Sequence, residues 1–221
     1  MNKICVYTCI TGDYDNLKEI TNIEKGIDYY CFTNNRNIKS NTWKVVYIND
    51  DNLSNVLLAR KTKILGHPII NDKYDILLWM DAAVEFNTNI KDFINYYLKD
   101  KCNFVCFKHG TRNSILEEMN ACVRFRKEEK EKIEKLKDFY KKENYNYDNG
   151  LIESTVFIKR SNNDKLNETM NLWFNMVKTY SKRDQLSFNY CIFKVDLNVS
   201  YINEKVFDNK WFKWFSHNSN N

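Results

Sequence analysis

The sequence predicts an α/β fold, a single domain built on a mainly parallel central sheet with helices on both faces. Three observations predict it. Short apolar runs of strand length alternate with longer amphipathic stretches through the 221 residues. One run, residues 75–80 (Asp-Ile-Leu-Leu-Trp-Met), is almost continuously apolar, which suits a central strand covered on both faces. One proline, Pro68, and five glycines leave no stretch that reads as a flexible linker. Residues 1–217 are therefore expected to form one domain, followed by a polar tail, 218–221.

Each element has a local signature. Residues 4–9 (Ile-Cys-Val-Tyr-Thr-Cys) read as a buried first strand running into a turn-rich loop, Thr11-Gly12-Asp13-Tyr14-Asp15. Residues 28–32 read as a second strand ending at Thr33-Asn34-Asn35, and 43–48 as a third. Ser54 is placed to cap a helix reaching about residue 65, closed by Gly66 and Pro68. Strand 75–80 ends at Asp81, and Thr88 or Asn89 opens a helix through 98. A strand at 103–107 precedes a helical stretch from Ser114 to 140, in one or two segments, with Glu117 three residues after Ser114 as a capping box requires. A strand at 155–159, helices at 164–180 and 184–193, and a short strand at 198–202 complete the chain.

Composition narrows the function. Hydrophobic residues make up 43% and aromatics 15%, enough for a sizeable core, so global disorder is excluded. The net charge of +5 is mild, and its densest part, residues 127–142, interleaves acids with bases. That pattern reads as a solvated helix face rather than a nucleic-acid surface. A modest positive balance also suits an anionic substrate. Of seven cysteines, Cys5, Cys9, Cys31, Cys106 and Cys191 fall in apolar runs and none forms a CxxC pair, so zinc is not expected and the thiols read as reduced. With no N-terminal apolar leader and no run long enough to span a bilayer, a cytoplasmic location is expected, and the sequons at Asn167 and Asn198 read as inconsequential.

In an open parallel sheet, ligands bind beyond the C-terminal strand ends. That rule gathers three loops: after Cys9, after Phe32, and at Asp81. A carboxylate at Asp81 suits Mg²⁺ or Mn²⁺, hard cations that take carboxylate and phosphate oxygens. Such a metal would neutralise charge on a departing diphosphate. From position alone, Asp81 is equally a cap or turn residue.

Several segments carry a resemblance. Val-Tyr-Thr-Cys-Ile-Thr-Gly-Asp-Tyr-Asp (6–15), Tyr-Cys-Phe-Thr-Asn (30–34), Ala-Arg-Lys-Thr-Lys (59–63) and Trp-Met-Asp-Ala-Ala (79–83) are similar to GT-A fold glycosyltransferases. Lys-His-Gly-Thr-Arg (108–112) with Glu118, Gly-Leu-Ile-Glu-Ser (150–154) and Ser-Lys-Arg-Asp-Gln-Leu-Ser-Phe (181–188) continue the likeness in the same order. The chain resembles the glycosyltransferase-like domains of plant mucilage-type and bacterial proteins, and is also similar to viral capsid-glycan rhamnosyltransferases. The fold implied is GT-A, a Rossmann-like α/β arrangement.

The resemblance implies roles. Thr8, Thr11, Gly12 and Tyr14 would surround uracil and ribose, with Thr33 and Asn34 near the same base; glycine allows close backbone approach there. Read without it, Gly12 is a turn, Tyr14 a packed aromatic and Thr33-Asn34 an ordinary turn. Arg60 would reach the diphosphate, since its guanidinium suits bidentate phosphate contact. Lys61 and Lys63 are weaker candidates for the same contact and read rather as a solvated cationic face. Asp81 matches the first aspartate of a DxD motif whose third position is here Ala83, so Asp81, Ala82 and Ala83 would lie along the nucleotide sugar with one carboxylate missing. His217, in Trp-Phe-Lys-Trp-Phe-Ser-His (211–217), is the residue expected to complete the metal site; otherwise it is a tail histidine. Asp184 and Gln185 match a late Asp-Gln pair that lies under the sugar ring, where an amide oxygen stabilises an oxocarbenium-like transition state; Asp184 otherwise caps a helix, in competition with Ser181. His109, Arg112, Glu118 and Glu153 would lie around donor sugar or acceptor. Glu85 is a further candidate for the metal site, though its alternation with Val84 and Phe86 is that of a strand-surface residue, and His67 reads as a helix-end residue.

The function these readings imply is that of a metal-dependent glycosyltransferase using Mn²⁺ or Mg²⁺. It would move a glucose- or rhamnose-type hexose or deoxyhexose from a UDP-sugar to a glycan or glycoprotein acceptor with retention, without nucleic acid, in the cytoplasm, or the host cytoplasm for a viral protein. Two alternatives stay open: a catalytically inactive nucleotide-sugar- or carbohydrate-binding module, and an inverting transferase with Asp184 or Glu153 as base. A nucleotidyltransferase would carry a glycine-rich loop after the first strand, where only Gly12 stands. A glycoside hydrolase would need facing carboxylates, such as Asp81 with Glu153.

Overall fold

The alternating runs fold into a seven-stranded sheet in a computed structural model that describes residues 2–99 and 101–215. The strands are β1 (Ile4–Ile10), β2 (Ile27–Thr33), β3 (Lys44–Tyr47), β4 (Ile76–Met80), β6 (Phe104–Lys108), β7 (Ile152–Arg160) and β8 (Val199–Ile202). Their order is β3-β2-β1-β4-β7-β6-β8, and β7 alone runs against its neighbours. A second, two-stranded sheet pairs β5 (Val84–Phe86) with β9 (Phe212–Trp214). The helices are α1 (Asn55–Leu65), α2 (Pro68–Asn71), α3 (Ile90–Tyr97), α4 (Ile115–Arg124), α5 (Lys130–Lys142), α6 (Asp164–Thr179) and α7 (Phe188–Val195). The arrangement is the mainly parallel, helix-flanked α/β sheet that the sequence predicts.

The apolar runs are continuous because both sheet faces are covered. Successive side chains of a strand point to opposite faces. Tyr7, Leu77, Trp79 and Phe157 pack with Leu58, Trp173 and Phe188, while Val6, Leu78, Met80 and Ile158 pack with Phe93, Ile94 and Phe212. The charge-rich α5 turns Ile133, Leu136 and Tyr140 inward and sets Lys132–Glu129 and Lys137–Glu134 on its outer face, as expected of a solvated helix. No helix of the described residues is long and apolar enough to cross a membrane. The seven cysteines are free, six of them buried and Cys9 half-buried.

Local signals place most element ends. Ser54 accepts from the Leu57 amide, and Ser114 and Glu117 form the capping box. Gly66 ends α1 at φ +74, and a Cβ there would lie 2.2 Å from Asn71 Oδ1. His67 does stand at a helix end: its Nδ1 accepts from Ile69 N at the start of α2. Other ends differ from expectation. Asn89 holds the N-cap position of α3, yet the free amides of Ile90 and Lys91 are taken by the Glu24 carboxylate, a partner 66 residues away. The expected helix at 184–193 divides at Ser187 into a single 3₁₀ turn, Asp184–Leu186, and α7.

The end of α1 also explains a buried lysine. Ile64 O would ordinarily receive an amide four residues on, but that residue is Pro68, which has none. Lys159 Nζ donates to it instead, at 2.8 Å, from full burial in β7. Burial pushes the Lys159 ammonium down to about 7. A folded-state value below the unfolded one means that the unfolded chain binds the extra proton between pH 7 and 10, so stability rises with pH there. Relative to Lys159→Met, the wild type is expected to gain up to about 1.4 kcal/mol per pH unit across that window. Urea unfolding of both proteins at several pH values checks it, and a flat difference would remove Lys159 as the source.

Candidate active site

At the C-terminal edge of the parallel strands lies an open cleft of about 880 Å³, within the roughly 300–1,000 Å³ range of ligand sites. Of the three loops named from sequence, those after Cys9 and at Asp81 line it, and the one after Phe32 braces the first through Asn34, which does not itself line the cleft. Gly12 N donates to Asn34 Oδ1 at 2.7 Å, Asn34 Nδ2 to Asn55 Oδ1 at 2.7 Å, and Thr11 Oγ1 to Asn55 O at 2.9 Å. Gly12 has φ +60, and a Cβ would meet Asn55 Nδ2 at 2.8 Å, so only glycine fits without a shift. Thr11, Gly12 and the exposed Tyr14 line the cleft. Thr8 does not reach it: the side chain is fully buried inside β1, and its hydroxyl has no hydrogen-bond partner among the described residues. Thr33 is likewise buried, accepting from Asn35 N at 3.0 Å, and supports the loop from behind.

Asp81 follows β4 directly. Its amide donates to Thr155 O at 2.9 Å, which fixes its place beside β7, and its side chain stays 31% exposed to the cleft. Trp79 Nε1 donates to Asp81 Oδ1 at 2.8 Å, and the Lys63 ammonium lies 3.6 Å from the same oxygen. Ala82 lines the cleft; Ala83 is buried, and its carbonyl accepts from Phe215 N at 2.8 Å. Glu85 is half-buried on β5, the strand-surface place expected of it. His217 and the tail lie outside the described residues.

Lys63 is the main correction to the sequence reading. Instead of a solvated face it occupies the floor of the site, 2% exposed. Its Nζ contacts Asp184 Oδ2 at 2.9 Å and donates to Ser154 Oγ at 3.0 Å. The signal was spacing: Lys63 stands three residues after Arg60 and shares its helix face, whereas Lys61 points away to a half-buried pair with Asp50. Arg60 does face the cleft, its Nη1 3.5 Å from Asp184 Oδ2.

Asp184 is consequently a buried anion rather than a cap. Burial pushes its carboxyl up, but the charges of Arg60 and Lys63 and the Lys63 hydrogen bond overcome this and hold it well below the usual carboxylate range. Ser181 caps no helix either; its hydroxyl donates to the buried Glu128 at 2.7 Å. Gln185 lines the cleft, yet both ends of its amide are engaged: Nε2 donates to Ile152 O at 3.0 Å, and Oε1 accepts from Arg183 Nη2 at 3.2 Å.

A bulge in β7 forms the opposite wall. Phe107 faces Glu153 while Cys106 faces Phe157, so residues 154–156 have no partners on β6. Bulges re-aim side chains beside active sites, and this one turns Glu153, Ser154 and Thr155 into the cleft. Burial raises the Glu153 carboxyl; the negative Asp81 and Asp184 add to that, against a 3.0 Å hydrogen bond from Thr155 Oγ1 and the charge of Lys63. Behind it, His109 Nε2 lies 3.8 Å from Glu153 and 3.9 Å from Glu118. Burial and the Arg112 cation hold the His109 imidazole below its ordinary value. Glu118 is buried, paired with Arg112 Nε at 2.5 Å and with Arg183 at 3.8 Å. His109, Arg112 and Glu118 thus form a polar layer under the cleft wall, and only Glu153 of this group lines the cleft itself.

An α/β sheet with one reversed strand sets a carboxylate, a guanidinium and a buried ammonium at its ligand edge, a combination suited to an anionic ligand. The family model for the TOD1/MUCI70 glycosyltransferase-like domain matches residues 1–220, and the chain belongs to that family. It is a glycosyltransferase. Among solved structures, a glycosyltransferase involved in the glycosylation of the major capsid of PBCV-1 is similar at 9% identity and a TM-score of 0.47, over 90% of this chain and 81% of that one. No curated protein sequence matches the chain.

Proposed function

We propose that the chain transfers a glucose- or rhamnose-type hexose or deoxyhexose from a UDP-sugar to a glycan or glycoprotein acceptor in this cleft, with Mn²⁺ or Mg²⁺ at Asp81. The observation that carries the reading is Asp81, a one-third-exposed hard oxygen donor at the ligand edge, facing Arg60 across the same cleft. Because no group of three His, Cys, Asp or Glu side chains gathers among the described residues, a metal at Asp81 would have to take most of its ligands from phosphate. His217 is proposed as the second protein ligand. What supports it is the direction of β9, which runs back along β5 toward Asp81 until Phe215 N meets Ala83 O. When bound, the metal would neutralise charge on the departing diphosphate.

The chain's own residues supply the rest. Thr11, Gly12 and Tyr14 form a rim for the base and ribose, and the Arg60 fork reaches for phosphate oxygens. UDP release from a UDP-sugar panel with Mn²⁺ tests the reading. UDP binding without turnover on any sugar or acceptor would establish the inactive binding module instead.

The stereochemical course has two readings. Retention needs the Gln185 amide oxygen under the sugar, and that oxygen accepts from Arg183. A specific observation favours inversion: among the described residues Glu153 has no lysine or arginine within ion-pair distance, and its carboxyl is raised toward a general base's working range. Glu153→Gln is then expected to lower kcat by about 10²–10⁴-fold with UDP affinity unchanged. Product NMR decides the course: a retained linkage, or a Glu153→Gln enzyme within threefold of wild type, would return Gln185 to the central role.

A further inference from the structure

We infer that Lys63 is a resident counter-cation of Asp81, so that Asp81 takes up a divalent cation only together with a nucleoside diphosphate. The inference rests on the metal-assisted reading above. An ammonium has three donors, and Lys63 directs them at three oxygens: Asp184 Oδ2 at 2.9 Å, Ser154 Oγ at 3.0 Å and, more distantly, Asp81 Oδ1 at 3.6 Å. The ammonium also lies 5.6 Å from the Trp79 ring, whose Nε1 donates to that same Asp81 oxygen.

This cation is held in place. The side chain is 2% exposed, and the helix end that carries it is pinned from below. Tyr7 OH donates to Lys63 O at 2.7 Å, and Lys159 Nζ to Ile64 O at 2.8 Å. Lys63 therefore cannot leave for solvent when a metal approaches. A free divalent ion at Asp81 meets a fixed positive charge in a partly desolvated site, where like charges repel far more than in water. A diphosphate reverses the balance, because its negative charge offsets the metal and the ammonium together. Lys63 would in this way act through Asp81 as a positioning residue that makes metal and nucleotide bind as a unit.

Mn²⁺ binding followed by electron paramagnetic resonance tests this without reference to turnover. Wild type is expected to bind Mn²⁺ at least 100-fold more tightly with UDP than without it. Lys63→Met is expected to bind Mn²⁺ alone at least tenfold more tightly than wild type, a gain abolished by adding Asp81→Asn. Lys63→Met leaves Asp184 short of a partner, so the neutral pair Lys63→Met/Asp184→Asn is measured beside it, and the same gain is expected. Wild type binding Mn²⁺ equally well with and without UDP overturns the inference, and needs no variant. If both variants bind Mn²⁺ no better than wild type while UDP still promotes binding, the inference falls and the metal-assisted reading stands. If no form binds Mn²⁺ even with UDP, both fall.

Discussion

Replacing Asp81 by asparagine is expected to lower turnover of the UDP-sugar by about 10³-fold, close to 4 kcal/mol of transition-state stabilisation, with the fold intact. The substitution separates charge from shape. Asparagine keeps an oxygen to accept from Trp79 Nε1, and the side chain is one-third exposed, so nothing buried is orphaned. What disappears is the anion, and with it the hard donor that a divalent cation requires. Steady-state kinetics at saturating Mn²⁺, with a thermal melt as control, measures both halves. Turnover within tenfold of wild type would show that Arg60 and Lys63 carry the diphosphate charge without a metal at this residue.

Asp184→Ala is expected to act on the fold. Removing one partner of a buried ion pair leaves the other charge uncompensated, at about 3–5 kcal/mol. Here the abandoned group is Lys63, which is too buried to find water and would keep only Ser154 and the more distant Asp81. For a chain of this size the loss corresponds to a melting temperature lower by roughly 10 °C. Asp184→Asn is expected to cost less, since it keeps an acceptor for Ser154 Oγ and Lys63 Nζ. The pH dependence has a defined sign. Because the folded-state value lies below the unfolded one, the stabilisation from Asp184 is complete above the ordinary carboxylate range and is lost as pH falls through the folded value. The gap between wild type and Asp184→Ala should therefore narrow in acid. A melting shift below about 2 °C at pH 7 would mean that the buried pair contributes little.

Much of this architecture was legible because it is locally encoded. Strand 75–80 had to be covered on both faces, and the carboxylate that ends it had to stand at the ligand edge. Ser54, Gly66 and the Ser114–Glu117 box mark helix ends with chemistry that acts over three or four residues. What escaped the sequence is what depends on distant partners. Lys63 looks like any lysine on a basic helix until Asp184, 121 residues later, arrives beside it. Asn89 marks the start of α3 as expected, but the capping hydrogen bonds come from Glu24 in another loop, which no local pattern announces. β9 is three residues long and gains its identity only from β5. Gln185 matched a motif by type, but its engagement with Arg183 and Ile152 arises from the 3₁₀ turn, which no periodicity announced.

The link between Lys63 and Asp184 also bears on assembly. Thr11, Arg60 and Asp81 come from the first part of the chain and Glu153, Asp184 and Gln185 from the last part, so neither end holds a usable site alone. Contacts of such long sequence separation form late, after the loop-closure entropy has been overcome. On the proposed reading, nucleotide affinity would report completed folding. A ligand that recognises only the finished cleft shifts the folding equilibrium by mass action, so in a cell the donor's abundance would help set how much of this chain persists in its native form.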